Sequence, residues 1–187
     1  SSYFGIVDLA GFPKDRYYLY KSRWMPDTPM VHILPHWNFP DKIGETIPVF
    51  VYSSGDVVEL FLNGKSLGKK EKRPYEYRFR WDSVKYEPGE LKAIAYKQNR
   101  KWAETYVRTT GKAVGLKAVP DKHRIKADGE DLVFVTVSLV DEEGCDVPTA
   151  ENVISCSLIG DGEIVATDNG DPTCLITFSE PTRPAFN

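Results

Sequence analysis

The chain has 187 residues and a formal net charge of -3 at pH 7, with 41% hydrophobic and 27% charged residues. This length can bury the core of one large domain or of two small ones, and the composition is ordinary for a globular protein. The slight acidity gives no electrostatic reason to expect nucleic acid or an anionic membrane as a partner. No apolar run approaches the length of a transmembrane helix. The three cysteines lack any CxxC spacing, which favours small buried thiols over a disulfide framework.

The first 26 residues predict a strand, a short loop and a helix. Residues 2–7 form a short apolar run, and residues 13–24 carry a helical pattern with Pro13 at its first position and Asp15 near its N-terminus. The predicted buried stripe of this helix contains Tyr17, Tyr20 and Trp24. One strand and one helix cannot bury their own apolar faces, and such units normally repeat in a parallel sheet or a (β/α) barrel. We therefore expect the chain to be the C-terminal part of something longer.

From residue 31 onwards the hydrophobic period changes to two, which predicts β-structure. The strand-length runs are VHIL, IPVFVYS, VVELFLN, YEYRFRW, ELKAIAYK and WAETYVRTT. Asn63-Gly64 separates VVELFL from KSLGKK and is a strong signal for a two-residue hairpin. These short strands predict a small antiparallel sandwich over residues 28–111.

A second set of strand-like runs follows, over residues 112–187. The runs are GLKAVP, HRIKA, DLVFVTVSLVD, VISCSLIG, GEIVATD and CLITFSE, joined by turns rich in Asp and Gly. No last strand is evident in PTRPAFN, so we expect truncation or disorder there. The predicted fold class is mainly β: two antiparallel Ig-like β-sandwiches, preceded by a short strand–helix remnant of a (β/α)8 barrel.

The order of these segments resembles one known family. SSYFGIVDLAGFPKDRYYLYKSRW, then VHILPHWNF, then PVFVYSSGDVVELFLNGKSLGKK, is similar to the C-terminal region of glycoside hydrolase family 2 β-galactosidases of the Bacteroidetes type. The stretches IKADGEDLVFVTVSLVDEEGCDVPTAEN and GEIVATDNGDPT resemble the C-terminal Ig-like domain that these enzymes often carry. The resemblance covers essentially the whole chain in the same order. It implies that residues 1–27 are the last strand and helix of a catalytic barrel.

The resemblance also implies a chemistry and a set of partners. In the family, retaining hydrolysis uses two glutamates about 5 Å apart, and both lie upstream of the segment similar to SSYFGIVD. No residue here matches either motif, so the chain contributes no catalytic residue and should be inactive alone. The implied partner is a carbohydrate substrate reached through the barrel, with no cofactor and no metal. A homo-oligomer through the exposed barrel helix and a periplasmic or secreted location are further expectations.

Three residues are weak candidates for contacting substrate. Asp8 lies near the end of the predicted strand where barrel active sites form, although a helix cap or a salt bridge to a neighbouring strand is the favoured explanation. His36 and Trp37, in PHWNFP, could hydrogen-bond and stack on a sugar ring. The alternative for Trp37 is that it fills the interface between barrel and sandwich while His36 caps it.

Metal binding is not expected at two places where the residue types suggest it. His32 and His36 have the spacing of helical zinc ligands, but Pro35 intervenes and four extended residues span roughly 13 Å. The DNGD stretch at residues 168–171 lacks the spacing of a calcium loop, and a hairpin turn explains it.

Three interpretations of function remain. The first is an accessory C-terminal region of a family 2 glycosidase. The second is an autonomous carbohydrate-binding module, which exposed aromatic residues such as Trp37, Trp81 or Trp102 would favour. The third is an Ig-like spacer or adhesin module, favoured by the Asp/Gly turns of residues 115–187. Only the first explains the strand and helix at the start of the chain, and that helix should pack on the first sandwich or on another copy of the chain.

Overall fold

One helix and eleven strands form in the part of the chain that the structure, a computed structural model, describes, namely residues 4–186. The helix is α1 (Asp15–Trp24), and a 3-10 turn covers Pro40–Lys42. The first seven strands are β1 (Val31–Leu34), β2 (Thr46–Ser53), β3 (Val57–Leu62), β4 (Lys65–Glu71), β5 (Phe79–Lys85), β6 (Glu90–Lys97) and β7 (Arg100–Arg108). The last four are β8 (Gly115–Pro120), β9 (Val135–Val140), β10 (Val153–Ser155) and β11 (Thr182–Pro184).

The described chain divides into two units. The first runs to Thr109 and takes in Gly170–Thr173, and the second comprises Thr110–Asn169 and the residues from Cys174 onwards. All neighbouring strands in both units pair antiparallel. Antiparallel pairing leaves one face of each sheet free to meet solvent or another element, which explains the alternation seen in the sequence.

The first unit is a sandwich of two sheets. One sheet has the order β1-β2-β5 and the other the order β4-β3-β6-β7. Their inner faces share one hydrophobic core, to which both sheets contribute fully buried side chains such as Val49, Val51, Leu60 and Leu91. Burial of each large apolar side chain of this kind contributes about 1.5–3 kcal/mol to folding, so this core holds the unit together.

The hairpin predicted at Asn63-Gly64 joins β3 to β4. Both residues have positive φ angles, 49° and 79°, as a type I′ turn requires. Asn63 also closes the neighbouring connection, because its side-chain amide donates to the Pro88 carbonyl and its oxygen accepts from the Glu90 amide. The strand predicted at residues 75–81 starts only at Phe79, since Tyr75 has a φ of 65° and belongs to a turn.

The N-terminal segment differs from its prediction. Of the strand expected at residues 2–7, residues 2 and 3 lie outside the described residues, and the rest forms only an isolated bridge from Val7 to Pro13. The helix begins at Asp15 rather than Pro13. Its buried side is centred on Ser22, which is 2% exposed, whereas Trp24 of the expected stripe is 73% exposed. The helix packs on β1 and β2, so its buried side is set by those strands and not by its most apolar positions.

The second unit has less regular structure than predicted. Two pairs form, β8 with β9 and β10 with β11, and the runs at residues 123–127, 162–168 and 174–180 are not strands. A short strand, β11, occupies the segment where no last strand was evident. Val140 is the one buried hydrophobic residue of this unit among the described residues. A unit with so little buried apolar surface has little to hold long strands in place.

Candidate ligand-binding cleft on the first unit

The three residues proposed from the sequence as substrate contacts do not form one site. The Asp8 carboxylate accepts from the Phe12 amide at 2.8 Å, and the Asp8 amide donates to the Phe12 carbonyl at 2.9 Å. The side chain and the backbone of Asp8 thus both close the loop to Phe12. No contact among the described residues joins it to His36 or Trp37.

Trp37 lies in the core of the sandwich. It is 0% exposed, its Nε1 donates to the Glu87 carbonyl at 3.0 Å, and its ring meets Tyr86 edge-on with centroids 5.0 Å apart. No part of the indole is available to stack on a sugar, which corrects the expectation for this residue. Trp37 instead fills space between packed elements, as the alternative expectation held. The space it fills is the core of the sandwich and not the interface with a barrel.

His36 is partly buried beside this core. Its ring stacks on Phe39 with centroids 4.5 Å apart, and its Nδ1 accepts from the Asn38 amide at 3.2 Å. Burial lowers the pKa of His36, and the Asp15 carboxylate partly opposes that shift. The histidine therefore orders the 36–39 turn through its ring and its Nδ1 acceptor.

The tryptophans that would favour a carbohydrate-binding module do not form an exposed row. Trp81 is 6% exposed, with its Nε1 directed to the Leu67 carbonyl at 3.3 Å. Trp102 is partly buried, donates to the Ser54 hydroxyl at 2.8 Å and lies 4.8 Å from the Lys97 ammonium. Burial and hydrogen bonding thus direct both indoles into the sandwich.

A cleft of about 390 Å³ lies between α1 and the outer face of the β1-β2-β5 sheet of the first unit. Six side chains line it: Asp15, Arg16, Leu19, Tyr20, Tyr52 and Tyr77. Its volume falls in the range of about 300–1,000 Å³ that is usual for small-molecule sites. The cleft combines a carboxylate, a guanidinium, three phenols and one aliphatic wall.

The position of the helix over this cleft is held by a histidine on β1. His32 Nε2 lies 2.7 Å from Asp15 Oδ1, and the His32 ring stacks on Tyr18 with centroids 3.8 Å apart. His32 pairs across the sheet with Tyr52 on β2, so both side chains project from the outer face. Burial raises the pKa of the Tyr52 phenol, helped by the Asp15 carboxylate. Tyr52 is therefore a neutral phenol at physiological pH.

Sequence reasoning missed this cleft because its walls come from three separate segments. Tyr20 was assigned to a buried helical stripe, and Tyr77 to the aromatic face of the run YEYRFRW, whose strand starts only at Phe79. One feature of the sequence could have revealed the cleft. In IPVFVYS, Tyr52 is out of phase with the core residues Val49 and Val51, so it lies on the outer face of the sheet.

Neither a metal centre nor a membrane span is found within residues 4–186. No three His, Cys, Asp or Glu side chains converge there as metal ligands would. The helix found in this part of the chain is too short and too polar to cross a bilayer.

Family models match most of the chain. Residues 44–103 match a domain of unknown function, DUF4982, and residues 116–187 match glycoside hydrolase family 2 C-terminal domain 5.

Curated relatives and solved structures agree with this match. The chain is 45% identical over its full length to β-galactosidase BoGH2A of Bacteroides ovatus, of which it covers 22%. It is 30% identical over 158 residues to a β-glucuronidase of Formosa agariphila, covering 83% of this chain and 16% of the relative. The crystal structure of a β-glycosidase from Bacteroides vulgatus superposes with a TM-score of 0.93 at 36% identity, covering 98% of this chain and 23% of that one.

The chain thus spans about a fifth of the length of the curated relatives it matches. The mainly β, antiparallel fold class predicted from the sequence is confirmed, and so is the family resemblance. The matches over residues 44–103 and 116–187, together with superposition over nearly all of the chain, assign this protein to the C-terminal domains of glycoside hydrolase family 2.

Proposed function

We propose that this chain is the non-catalytic C-terminal part of a family 2 glycoside hydrolase and that it packs against the catalytic domain. Its relatives of known class are a β-galactosidase, a β-glucuronidase and a β-glycosidase, each several times longer than this chain. No residue in it matches the catalytic glutamates of the family, so hydrolysis belongs to the remainder of such an enzyme.

The observation that carries this proposal is the exposure of apolar side chains along the N-terminal segment. Six large hydrophobic residues there are 42–81% exposed: Phe4, Val7, Leu9, Phe12, Trp24 and Met25. These six side chains within 22 consecutive residues form an apolar surface that a packing domain would cover. A barrel domain that packs on this segment would remove that surface from water, at about 25 cal/mol per Å² buried.

The reaction proposed for the whole enzyme is retaining hydrolysis of a β-glycosidic bond. In this chemistry one carboxylic acid protonates the leaving oxygen while a second carboxylate, about 5 Å away, forms a glycosyl-enzyme intermediate that water then cleaves. A β-galactoside is the first substrate to test because the β-galactosidase relative has 45% identity, against 30% for the β-glucuronidase.

A hydrolysis panel tests the non-catalytic assignment. The isolated chain would be assayed on aryl β-galactoside, β-glucuronide and β-glucoside, with the Bacteroides ovatus relative as the positive control. We expect no turnover by the chain on any of the three. Turnover that follows the chain through purification would refute the assignment and would require a search for paired carboxylates within these residues.

Two further proposals concern compartment and assembly. The resemblance supports a periplasmic or secreted enzyme, which fractionation of the source cells with an antibody to this chain would test. The exposed N-terminal segment could also pair two copies of the chain. Sedimentation equilibrium of wild type and Trp24→Ser tests that pairing, since the variant should shift a dimer towards monomer.

A further inference from the structure

We propose that the cleft between α1 and the outer face of the β1-β2-β5 sheet binds a sugar unit. This inference goes beyond the proposed function and does not depend on it, because it concerns recognition by this chain and not catalysis. It rests on the polar groups that the cleft presents, on their lack of protein partners and on the aromatic walls around them.

The Tyr52 hydroxyl is the central polar group. The Tyr52 side chain is 7% exposed, yet no described residue hydrogen-bonds its Oη. Every fully buried side-chain nitrogen or oxygen among the described residues has a partner, so this oxygen must reach the surface, where Tyr52 lines the cleft. A buried phenol with an unpaired hydroxyl is costly unless water or a ligand completes its hydrogen bonds.

The first turn of α1 supplies an acceptor and a donor of opposite charge. Asp15 uses Oδ1 for His32, while no described residue donates to its Oδ2. The Arg16 guanidinium lies 5.9 Å from the centroid of the Phe4 ring and pairs with no carboxylate within residues 4–186. A carboxylate oxygen accepts from hydroxyls, and a guanidinium donates to them.

Aromatic rings complete the walls of the cleft. Tyr77 is 51% exposed, with the Arg78 guanidinium 5.3 Å from its centroid, and Tyr20 stacks on Trp24 at 4.8 Å. Rings with an apolar face and a polar edge suit a ligand that has both. A pyranose is such a ligand, because its C–H faces are apolar while its hydroxyls both donate and accept.

The mixture of groups favours a sugar over the other small ligands of this size. An inorganic anion would be repelled by the Asp15 carboxylate. An apolar ligand would leave the polar groups of Asp15, Arg16 and Tyr52 without hydrogen-bond partners. A neutral hexose carries both donors and acceptors for these three groups, and a uronic acid adds a carboxylate that Arg16 can bind. The shared chemistry is a ring carrying several hydroxyls, and the two sugars can be told apart by experiment.

Nuclear magnetic resonance titration of the chain with methyl β-galactoside and, separately, methyl β-glucuronide tests the proposal. We expect saturable shifts confined to residues 15–20, 52 and 77, with the stronger ligand showing whether the site prefers a neutral or an acidic sugar. Tyr52→Phe removes only the hydroxyl and should weaken binding about tenfold, as expected for one lost hydrogen bond.

A matched variant and a measurement of folding serve as controls for this test. Tyr106→Phe removes the hydroxyl of an exposed tyrosine on β7, in the other sheet, and should leave the affinity unchanged. The amide spectrum of each variant reports whether it is folded. Absence of saturable shifts with both sugars at millimolar concentrations would overturn the proposal. Equal affinities of wild type and a folded Tyr52→Phe would overturn it as well.

Discussion

At the scale of the residue, burial decides which aromatic side chains support the fold and which are available to a partner. Trp37 is 0% exposed and hydrogen-bonded in the core, whereas Trp24 is 73% exposed on the helix. The two tryptophans look alike in the sequence. Their contrasting environments therefore allow a direct comparison by substitution.

Trp37→Ala should lower the free energy of unfolding by about 3–5 kcal/mol, because it removes a large buried ring and leaves a cavity. Trp24→Ala should change it by less than about 1 kcal/mol, as is usual for an exposed position. Denaturant unfolding followed by circular dichroism measures both. Similar losses from the two substitutions would contradict the assignment of Trp37 to the core and of Trp24 to a free surface.

His36 should make stability depend on pH. Burial lowers its folded-state pKa below the ordinary value of 6.5, so between those two values the unfolded chain binds more protons than the folded chain. Stability should therefore fall as pH drops through 6.5 and level off below the folded-state pKa. His36→Gln should flatten the profile in that window. An unchanged slope, measured by urea unfolding at several pH values, would show that another group causes it.

At the scale of the element, short-range patterns located several strands to the residue and predicted others that do not form. The bounds of β1, β6 and β8 coincide with the runs VHIL, ELKAIAYK and GLKAVP, because period-two alternation with a turn at each end is a local signal. Of the stripe predicted to be buried on α1, Tyr17 and Tyr20 are half-buried but Trp24 is exposed, because the buried side depends on His32 and Tyr52, which lie on strands that helical periodicity cannot reveal. The cleft was missed for the same reason.

The β3–β4 hairpin depends on the backbone conformation of its turn. Gly64 has a φ of 79° and nothing within 4 Å of the position that a Cβ would occupy. Gly64→Ala should therefore destabilise the first unit by about 1 kcal/mol through backbone strain alone, without any steric clash. Lys65→Ala, at the next exposed position, is the control. Thermal unfolding that is identical for Gly64→Ala and wild type would show that the turn tolerates a side chain.

At the scale of the whole molecule, buried apolar surface is distributed unequally between the units. Among the described residues, the core cluster consists of side chains between Ile33 and Ala95, all in the first unit, whereas Val140 is the buried hydrophobic residue of the second. Local stability follows the number of buried apolar contacts. The two units should therefore open with different free energies.

Amide hydrogen exchange should show this difference. Protection should be highest in β2, β3 and β6 of the first unit and much lower in β10 and β11, whose three-residue pairing buries little apolar surface. Mass spectrometry of peptides after exchange measures both sets in one experiment. Equal protection in β3 and β10 would contradict the inference that the first unit carries most of the stability.

We propose that this chain stabilises a catalytic domain and does not itself hydrolyse the substrate. Complementation tests it most directly: the region of Bacteroides ovatus β-galactosidase BoGH2A that matches this chain is deleted, and aryl β-galactoside hydrolysis is measured before and after this chain is added. We expect the deletion to lower the activity or the thermal stability of the enzyme. Adding this chain should restore the lost property, and the Trp24→Ser chain should restore it less. A truncated enzyme that is as active and as stable as the intact one would show that the catalytic domain does not need this region.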